Sequence, residues 1–214
     1  MKRRRATQSG QKLRDLAERW IAAGALIALS PAMAKATSKG PALYSAPRLG
    51  KDGKVFLMRK FRSMVADAPE IVSEFKTVVR KADPRLTPIG PILRLGFDEL
   101  PQLFNIAAGE MSFIGPRPDN DWMAERYTPA IQERLKVKPG IIGLAQILDG
   151  RGLPVNMSYL VDAYYVHHRT AVLDALILGL TPLYILGFKQ AGSFLLRRIL
   201  AHPEYRPEHY EPLR

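Results

Sequence analysis

No cysteine occurs among the 214 residues, which removes disulfides, thiolate metal sites and thiol nucleophiles from consideration. Internal repeats are missing as well. No phosphate cradle of the G-x-x-x-x-G-K type is present, and the glycines of "KPGIIGLAQ" suit a turn instead. Uninterrupted apolar runs of spanning length are also lacking. The uncharged stretch "WIAAGALIALSPAMA", residues 20–34, would reach only about 22 Å as a helix, short of the roughly 20 residues a bilayer requires. A second apolar run, Val172 to Phe188, is interrupted by Asp174 and Thr181-Pro182, which favours helices lying on a membrane surface or packed in the core. Acidic residues are scarce at one end: residues 1–62 hold 15 Lys and Arg against 3 Asp and Glu, and the remainder holds 17 against 17. The whole formal charge of +12 therefore belongs to the first third. A basic end of this kind can meet nucleic acid, anionic lipid headgroups or a phosphorylated substrate.

What is there supports one domain with a sizeable core, since 47% of the chain is hydrophobic. A basic arm over residues 1–19 leads into the 20–34 stretch. Ser30-Pro31 breaks that stretch, because proline removes a backbone donor and a serine hydroxyl can bond a freed backbone group. A re-entrant helix that dips into the membrane is one reading. A cleaved signal peptide ending at Ala32-Met33-Ala34 and a plain buried core helix are two others.

Asp52-Gly53 predicts a β-hairpin whose second strand is "VFLMRKFR". Alternation would place Val55, Leu57, Arg59 and Phe61 on one face and Phe56, Met58, Lys60 and Arg62 on the other. Residues 67–83 read as an amphipathic helix with Asp67 and Glu70 in capping-box spacing. "DWMAERY" and "PAIQERLKV" also read as helices, "KPGIIGLAQILDGRG" as loop and strand, "KQAGSFLLRRIL" as amphipathic, and the tail from His202 as extended.

Two features carry chemistry. In "FDELPQLFN" the proline three residues after Asp98 predicts Asp98 as a helix N-cap and Glu99 as the first helical residue. Both carboxylates would then sit at the positive end of a helix dipole and point in different directions. A helix start alone explains such residues equally well. In "GPRP" two prolines brace Arg117, whose planar guanidinium matches phosphate oxygens.

The motifs "SKGPALY", "RLGKDGKVFLMRKFRSM", "DPRLTPIG", "DELPQL", "GEMSFIGPRPD", "VKPGIIGLAQI" and "DAYYV", in that order, resemble the bacterial sugar transferase family, the small monotopic phosphoglycosyl transferases. The resemblance runs from about residue 15 to residue 178. It implies transfer of a sugar-1-phosphate from a nucleotide diphosphate sugar, usually a UDP-sugar, to a polyprenol phosphate, usually undecaprenyl phosphate, in the bacterial inner membrane. It further implies Asp98 as the nucleophile that forms a covalent phosphosugar intermediate, and Glu99 as the carboxylate that helps hold Mg²⁺. Lys60, Arg62 and Arg117 would contact the donor phosphates, with Arg85 and Arg94 as further carry-overs. Arg94 stands alone where the family has a double basic residue. Arg151, after "LDG", is one more candidate phosphate contact.

The expected fold is α+β and mostly α, with a re-entrant membrane helix, a small hairpin and amphipathic surface helices around a catalytic core. The expected division is an arm and membrane helix over 1–40, a core over 41–178 and a C-terminal surface helix and tail over 179–214. The active site is expected at the cytoplasmic face, in contact with membrane lipids and not with nucleic acid. A homodimer is admitted by the sequence and not required by it. Rivals from other classes are a basic nucleic-acid-binding protein and a non-catalytic membrane scaffold. His167 and His168, neighbours on one helix, point apart and suit structural roles better than metal binding. Topology is open to test: cysteines placed at Lys2 and Lys39 should both be labelled from the cytoplasmic side, and labelling from opposite sides would turn the dip into a span.

Overall fold

Asp52 and Gly53 take the left-handed conformation, with φ of 57° and 74°, and so reverse the chain where the sequence predicts a turn. They separate β1 (Leu43–Leu49) from β2 (Val55–Phe61), which pair in a two-stranded sheet. The tip closes through Gly50 N–H to the Lys54 carbonyl at 2.8 Å. The structure is a computed structural model that describes residues 11–25, 43–65, 68, 83–88, 90–94, 96–148, 153–188 and 192–213. Its helices, hairpin and second small sheet make it α+β and mostly helical, as expected. Contacts divide the chain into two units, Met1–Ala46 with Leu57–Met111, and Pro47–Phe56 with Ser112–Arg214. The base of the hairpin belongs to the first and its tip to the second.

β2 alternates as predicted: Phe56 and Met58 are buried while Val55, Leu57 and Arg59 are exposed. Phe61 departs from the alternation, being buried at the strand's last position. Residues 11–25 form helix α1, α2 spans Gly90–Leu93 and α3 spans Gln102–Ala108. Asn105 of α3 is fully buried. Its side-chain amide serves β2 as a neighbouring strand would: Nδ2 donates to the Leu57 carbonyl at 2.8 Å and Oδ1 accepts from Arg59 N–H at 3.1 Å. Buried backbone groups must find partners, so this amide joins helix to strand. The other end of α3 is tied to α1, where Arg19 Nε donates to the Ala107 carbonyl at 2.8 Å. A cation there meets the unpaired carbonyls of a helix C-terminus.

The second unit adds an element the sequence reading did not contain, a parallel pair of β3 (Ser112–Ile114) and β4 (Gly140–Ile142), in register Ser112 to Gly140 and Ile114 to Ile142. Between them lie a 3-10 helix at Asp121–Arg126, α4 at Pro129–Gln132 and a 3-10 turn at Glu133–Lys136. α5 (Leu144–Leu148) stands where loop and strand were expected. Its Leu144, Ala145, Ile147 and Leu148 are all buried, so packing overrides the turn signals on either side. α6 (Val155–His168) runs through the core with Tyr159, Leu160, Val161, Ala163 and Tyr165 buried.

α7 (Ala171–Ile185) is capped by Thr170, whose hydroxyl accepts from Leu173 N–H at 3.1 Å. It continues through Pro182, so the expected break does not occur, and Thr181 Oγ1 donates to the Ile177 carbonyl at 2.7 Å. One stripe of α7, Asp174, Ile177 and Leu180, is buried, while Val172, Leu178, Ile185 and Leu186 are exposed. α8 (Ser193–Leu200) buries Leu195 and Ile199. The tail beyond it is not simply extended: it forms a 3-10 turn at Pro207–Tyr210 and buries Tyr205 and Tyr210.

No helix among the described residues is long and apolar enough to cross a membrane. Of the expected re-entrant segment, residues 20–25 continue α1, with Trp20 and Ile21 exposed, and Ser30-Pro31 lie outside the described residues. The amphipathic helix expected over 67–83 lies almost wholly outside them too.

The parallel pair depends on close backbone approach. A Cβ added at Gly140 would stand 2.1 Å from Gly115 N, so Gly140→Ala should destabilise the protein by about 1–3 kcal/mol. Gly179 in α7 meets nothing within 4 Å, and Gly179→Ala should stabilise by about 0.5–1 kcal/mol. Paired denaturation midpoints would check the contrast.

Candidate functional site

The paired carboxylates precede the helix instead of opening it, because its N-cap falls three residues later than predicted. Phe97–Glu99 form a 3-10 turn, preceded by Gly96 at φ 116° and closed by Leu100 N–H to the Phe97 carbonyl at 3.3 Å. Pro101, not Asp98, occupies the N-cap of α3. The reason is local: proline has no N–H to donate and its φ suits a helix entry, so the helix begins immediately after it. Asp98 and Glu99 are both half-buried.

Of the cations expected near them, Lys60 is brought to the pair: its Nζ lies 3.1 Å from Glu99 Oε1, with both side chains about four-fifths buried, at 18% and 19% exposure. Strand β2 delivers Lys60 from its inward-facing register, beside Phe56 and Met58. Arg62 lies just past the strand, and its Nη1 is buried without a hydrogen-bond partner among the described residues. Gln102 Nε2, immediately after "DELP", is a second such donor. Arg94 Nε reaches Ser63 Oγ at 3.4 Å.

Arg85 is held differently, in a fork on Asp83, with Nε to Oδ1 at 2.8 Å and Nη2 to Oδ2 at 2.7 Å. Hydrogen bonding to Asp83 raises its pKa above the ordinary arginine value. The fork belongs to a turn that Thr87 fastens to the Ser63 carbonyl, through its N–H at 3.0 Å and its hydroxyl at 3.3 Å.

Among the described residues no group of three or more His, Cys, Asp or Glu is placed to hold a metal ion. Mg²⁺ often binds through one or two carboxylates together with substrate phosphates. Two adjacent carboxylates, of which Glu99 already carries a cation on one oxygen, fit that mode of binding.

In the second unit the "GPRP" turn follows β3. Gly115 N–H donates to the Ile142 carbonyl and Gly140 N–H to the Pro116 carbonyl, each at 3.0 Å. Arg117, Asp119 and Arg134 line an open cleft of about 200 Å³, walled by Leu49, Pro116 and Val137 among others. The hairpin tip joins this turn through Leu49 N–H to the Asp119 carbonyl at 2.9 Å.

Arg134, which sequence reasoning passed over, is 5% exposed. Its guanidinium donates to Asp162 Oδ2 from Nε at 3.1 Å and from Nη2 at 2.8 Å, and to the Arg117 carbonyl from Nη2 at 2.5 Å. Nη1 donates to the Tyr127 hydroxyl at 2.6 Å and to Asp119. Tyr127 and Tyr159 each donate to Asp119 Oδ2, at 2.7 and 2.8 Å. Burial acts to lower the Arg134 pKa, but Asp119, Tyr127, Asp162 and Tyr159 together hold it well above the ordinary value. Burial first, then the nearby charges, push both tyrosine hydroxyls far above their usual range, so they remain neutral donors. One signal was available in the sequence: Arg134 follows Ile131 by three residues, which puts a cation on the buried stripe of a helical pattern.

His167 bonds the Tyr205 hydroxyl and Glu133, each at 2.8 Å, and His168 stacks on Tyr164, the structural roles expected of them. Arg151 lies outside the described residues.

The sequence profile of the bacterial sugar transferases matches residues 9–187. The chain belongs to the bacterial sugar transferase family. It is 37% identical over 160 residues to an undecaprenyl-phosphate galactose phosphotransferase of Salmonella typhimurium, covering 69% of this chain and 34% of that protein. It is 39% identical over 172 residues to a UDP-glucose:undecaprenyl-phosphate glucose-1-phosphate transferase of Klebsiella pneumoniae, covering 73% and 36%. It is 35% identical over 176 residues to the exopolysaccharide production protein ExoY of Sinorhizobium fredii, covering 73% and 78%. The chain thus spans about a third of the length of the first two relatives and most of the third. Lys60, Asp98, Glu99, Arg117 and Arg134 all fall inside the family match, and α8 and the tail fall beyond it.

An ion pair that keeps some solvent contact contributes under about 1 kcal/mol. Lys60→Ala should therefore lower the stability obtained from denaturation by no more than that, which leaves its effect on turnover readable as chemistry. A larger loss of stability would make the pair a structural clamp.

Proposed function

We propose that the chain is a phosphoglycosyl transferase that moves a sugar-1-phosphate from a nucleotide diphosphate sugar, of which UDP-sugars are the favoured class, to a polyprenol phosphate such as undecaprenyl phosphate. What supports the reading is membership of the sugar transferase family, together with relatives that act on undecaprenyl phosphate by name. The structural observation that carries it is the half-buried pair Asp98 and Glu99, with Lys60 3.1 Å from Glu99.

The chemistry proceeds as two displacements at one phosphorus. An Asp98 carboxylate oxygen forms a bond to the sugar-bearing phosphorus of the donor. The bridging P–O bond breaks, and its electron pair leaves with the nucleoside monophosphate. A polyprenol phosphate oxygen then attacks the same phosphorus, and the Asp98–phosphorus bond breaks to regenerate the carboxylate. Asp98 is suited to this because a neighbouring cation occupies Glu99, so the pair presents less than two full negative charges to an anionic donor.

Lys60 screens Glu99, and Arg62, with an unpaired buried donor, favours an incoming phosphate oxygen. Glu99, together with the donor phosphates, would hold Mg²⁺, which would neutralise charge on the pyrophosphate. Arg117, braced by Pro116 and Pro118, holds a donor phosphate. The basic first third suits anionic headgroups at a cytoplasmic membrane face, where a water-soluble donor and a lipid acceptor can use the same carboxylate in turn.

Purified protein given undecaprenyl phosphate, Mg²⁺ and a panel of UDP-sugars should release UMP. Asp98→Asn should lower that release by at least about 1,000-fold, and mass spectrometry of quenched wild-type turnover should show a sugar-phosphate adduct on Asp98. Equal activity in both proteins would remove the nucleophile assignment.

A further inference from the structure

We propose that Arg134 is the positioning residue for Arg117, locking the carbonyl of the "PRP" turn so that the Arg117 side chain leaves the backbone in one direction. The proposal rests on the reading of Arg117 as a contact of the donor phosphates.

The freedom of this turn is already small. Pro116 has its φ fixed by its ring, and Arg117, preceding Pro118, is restricted to extended conformations. The orientation of the Arg117 carbonyl is what those restrictions leave open, and Arg134 Nη2 holds that oxygen at 2.5 Å. Such a grip is only as firm as the guanidinium itself. A guanidinium has five N–H donors in a rigid plane, and here all five are engaged: one from Nε, two from Nη1 and two from Nη2.

The partners come from three stretches of chain. Asp162 belongs to α6, Tyr127 follows the 3-10 helix at Asp121–Arg126, and Asp119 ends the turn itself. The rings of Tyr159 and Tyr127 stand 4.9 and 5.9 Å from the guanidinium carbon. Asp119 Oδ2 receives three donors, from Tyr127, Tyr159 and Arg134. The turn is thereby held at the Arg117 carbonyl and again two residues later at Asp119. A merely stabilising core would be served as well by apolar residues of the same volume, whereas a fork of fixed geometry suits the aiming of a neighbouring cation.

Lysine has three donors and no planar fork, so Arg134→Lys should lower kcat/KM for the nucleotide sugar by about 100-fold. In an Arg117→Ala background the same substitution should cost little further. Backbone amides over 115–120 should exchange with deuterium faster in Arg134→Lys than in wild type. Tyr159→Phe, which deletes only the bond to Asp119 Oδ2 and keeps the ring, should shift both readouts in the same direction to a smaller extent, and it serves should Arg134→Lys yield no folded protein. An undiminished loss in the Arg117→Ala background, or unchanged exchange over 115–120, would overturn the positioning role. Absence of nucleoside monophosphate release by wild type would overturn the functional reading instead, and amide exchange would then decide the lock by itself.

Discussion

A fully buried guanidinium between two aspartates is the constraint on which the second unit depends. Moving a charge out of water costs several kcal/mol, and a single buried ion pair often fails to recover that cost. Arg134 recovers it by using every donor it has and by drawing on two carboxylates, a carbonyl and a hydroxyl. The neutrality of Tyr127 and Tyr159, enforced chiefly by burial, lets both hydroxyls donate to Asp119. Loss of Arg134 or of Asp119 removes bonds from several of the others at once, so the cluster holds as a set. Its chemical consequence is geometric: a two-proline turn that carries an arginine is held to the helix that runs through the core.

The first unit solves a different problem with fewer parts. Two adjacent, half-buried carboxylates repel one another unless a positive charge lies nearby. Lys60 supplies that charge to Glu99 rather than forming a deep clamp, since both side chains keep nearly a fifth of their surface exposed. Asn105 makes the arrangement reproducible. By bonding the β2 backbone at Leu57 and Arg59, it holds the strand that carries Lys60 to the helix that follows the "DELP" turn. The two units thus share a principle, in which a buried polar side chain bonds a backbone group at or next to a residue that carries a cation.

Several parts of this were legible from the residues. Asp52-Gly53 requires left-handed backbone conformations that few other pairs supply, so the hairpin and the alternation that puts Lys60 on one face with Phe56 and Met58 could be read directly; that this face is the inward one could not. α7 showed itself as an apolar run and α8 as an amphipathic segment, although α7 runs on through Pro182. Other parts were misread for identifiable reasons. Pro101 took the cap position assigned to Asp98, because a 3-10 turn can precede a proline-started helix as readily as a cap residue can. The "GLAQIL" stretch became α5 because its apolar residues face the core. A strand was expected within "KPGIIGLAQILDGRG", where β4 lies, but β3 and its parallel pairing with β4 escaped notice because a three-residue strand is too short for a period to show.

The order of motifs, the basic first third and the adjacency of Asp98 and Glu99 were determined by the sequence alone, since composition and neighbouring residues do not depend on how the chain folds. They were enough to identify the family. Which cations meet which carboxylates was decided only in three dimensions. Arg85 was drawn to Asp83, two positions away, and Lys60 to Glu99, thirty-nine positions away. Arg134 became the centre of a core network only where Tyr127, Asp119, Arg117 and Asp162, which lie 7, 15, 17 and 28 positions from it, are folded around it. Electrostatic partnership depends on distance through space and on loss of water, and neither is written in the linear order of residues.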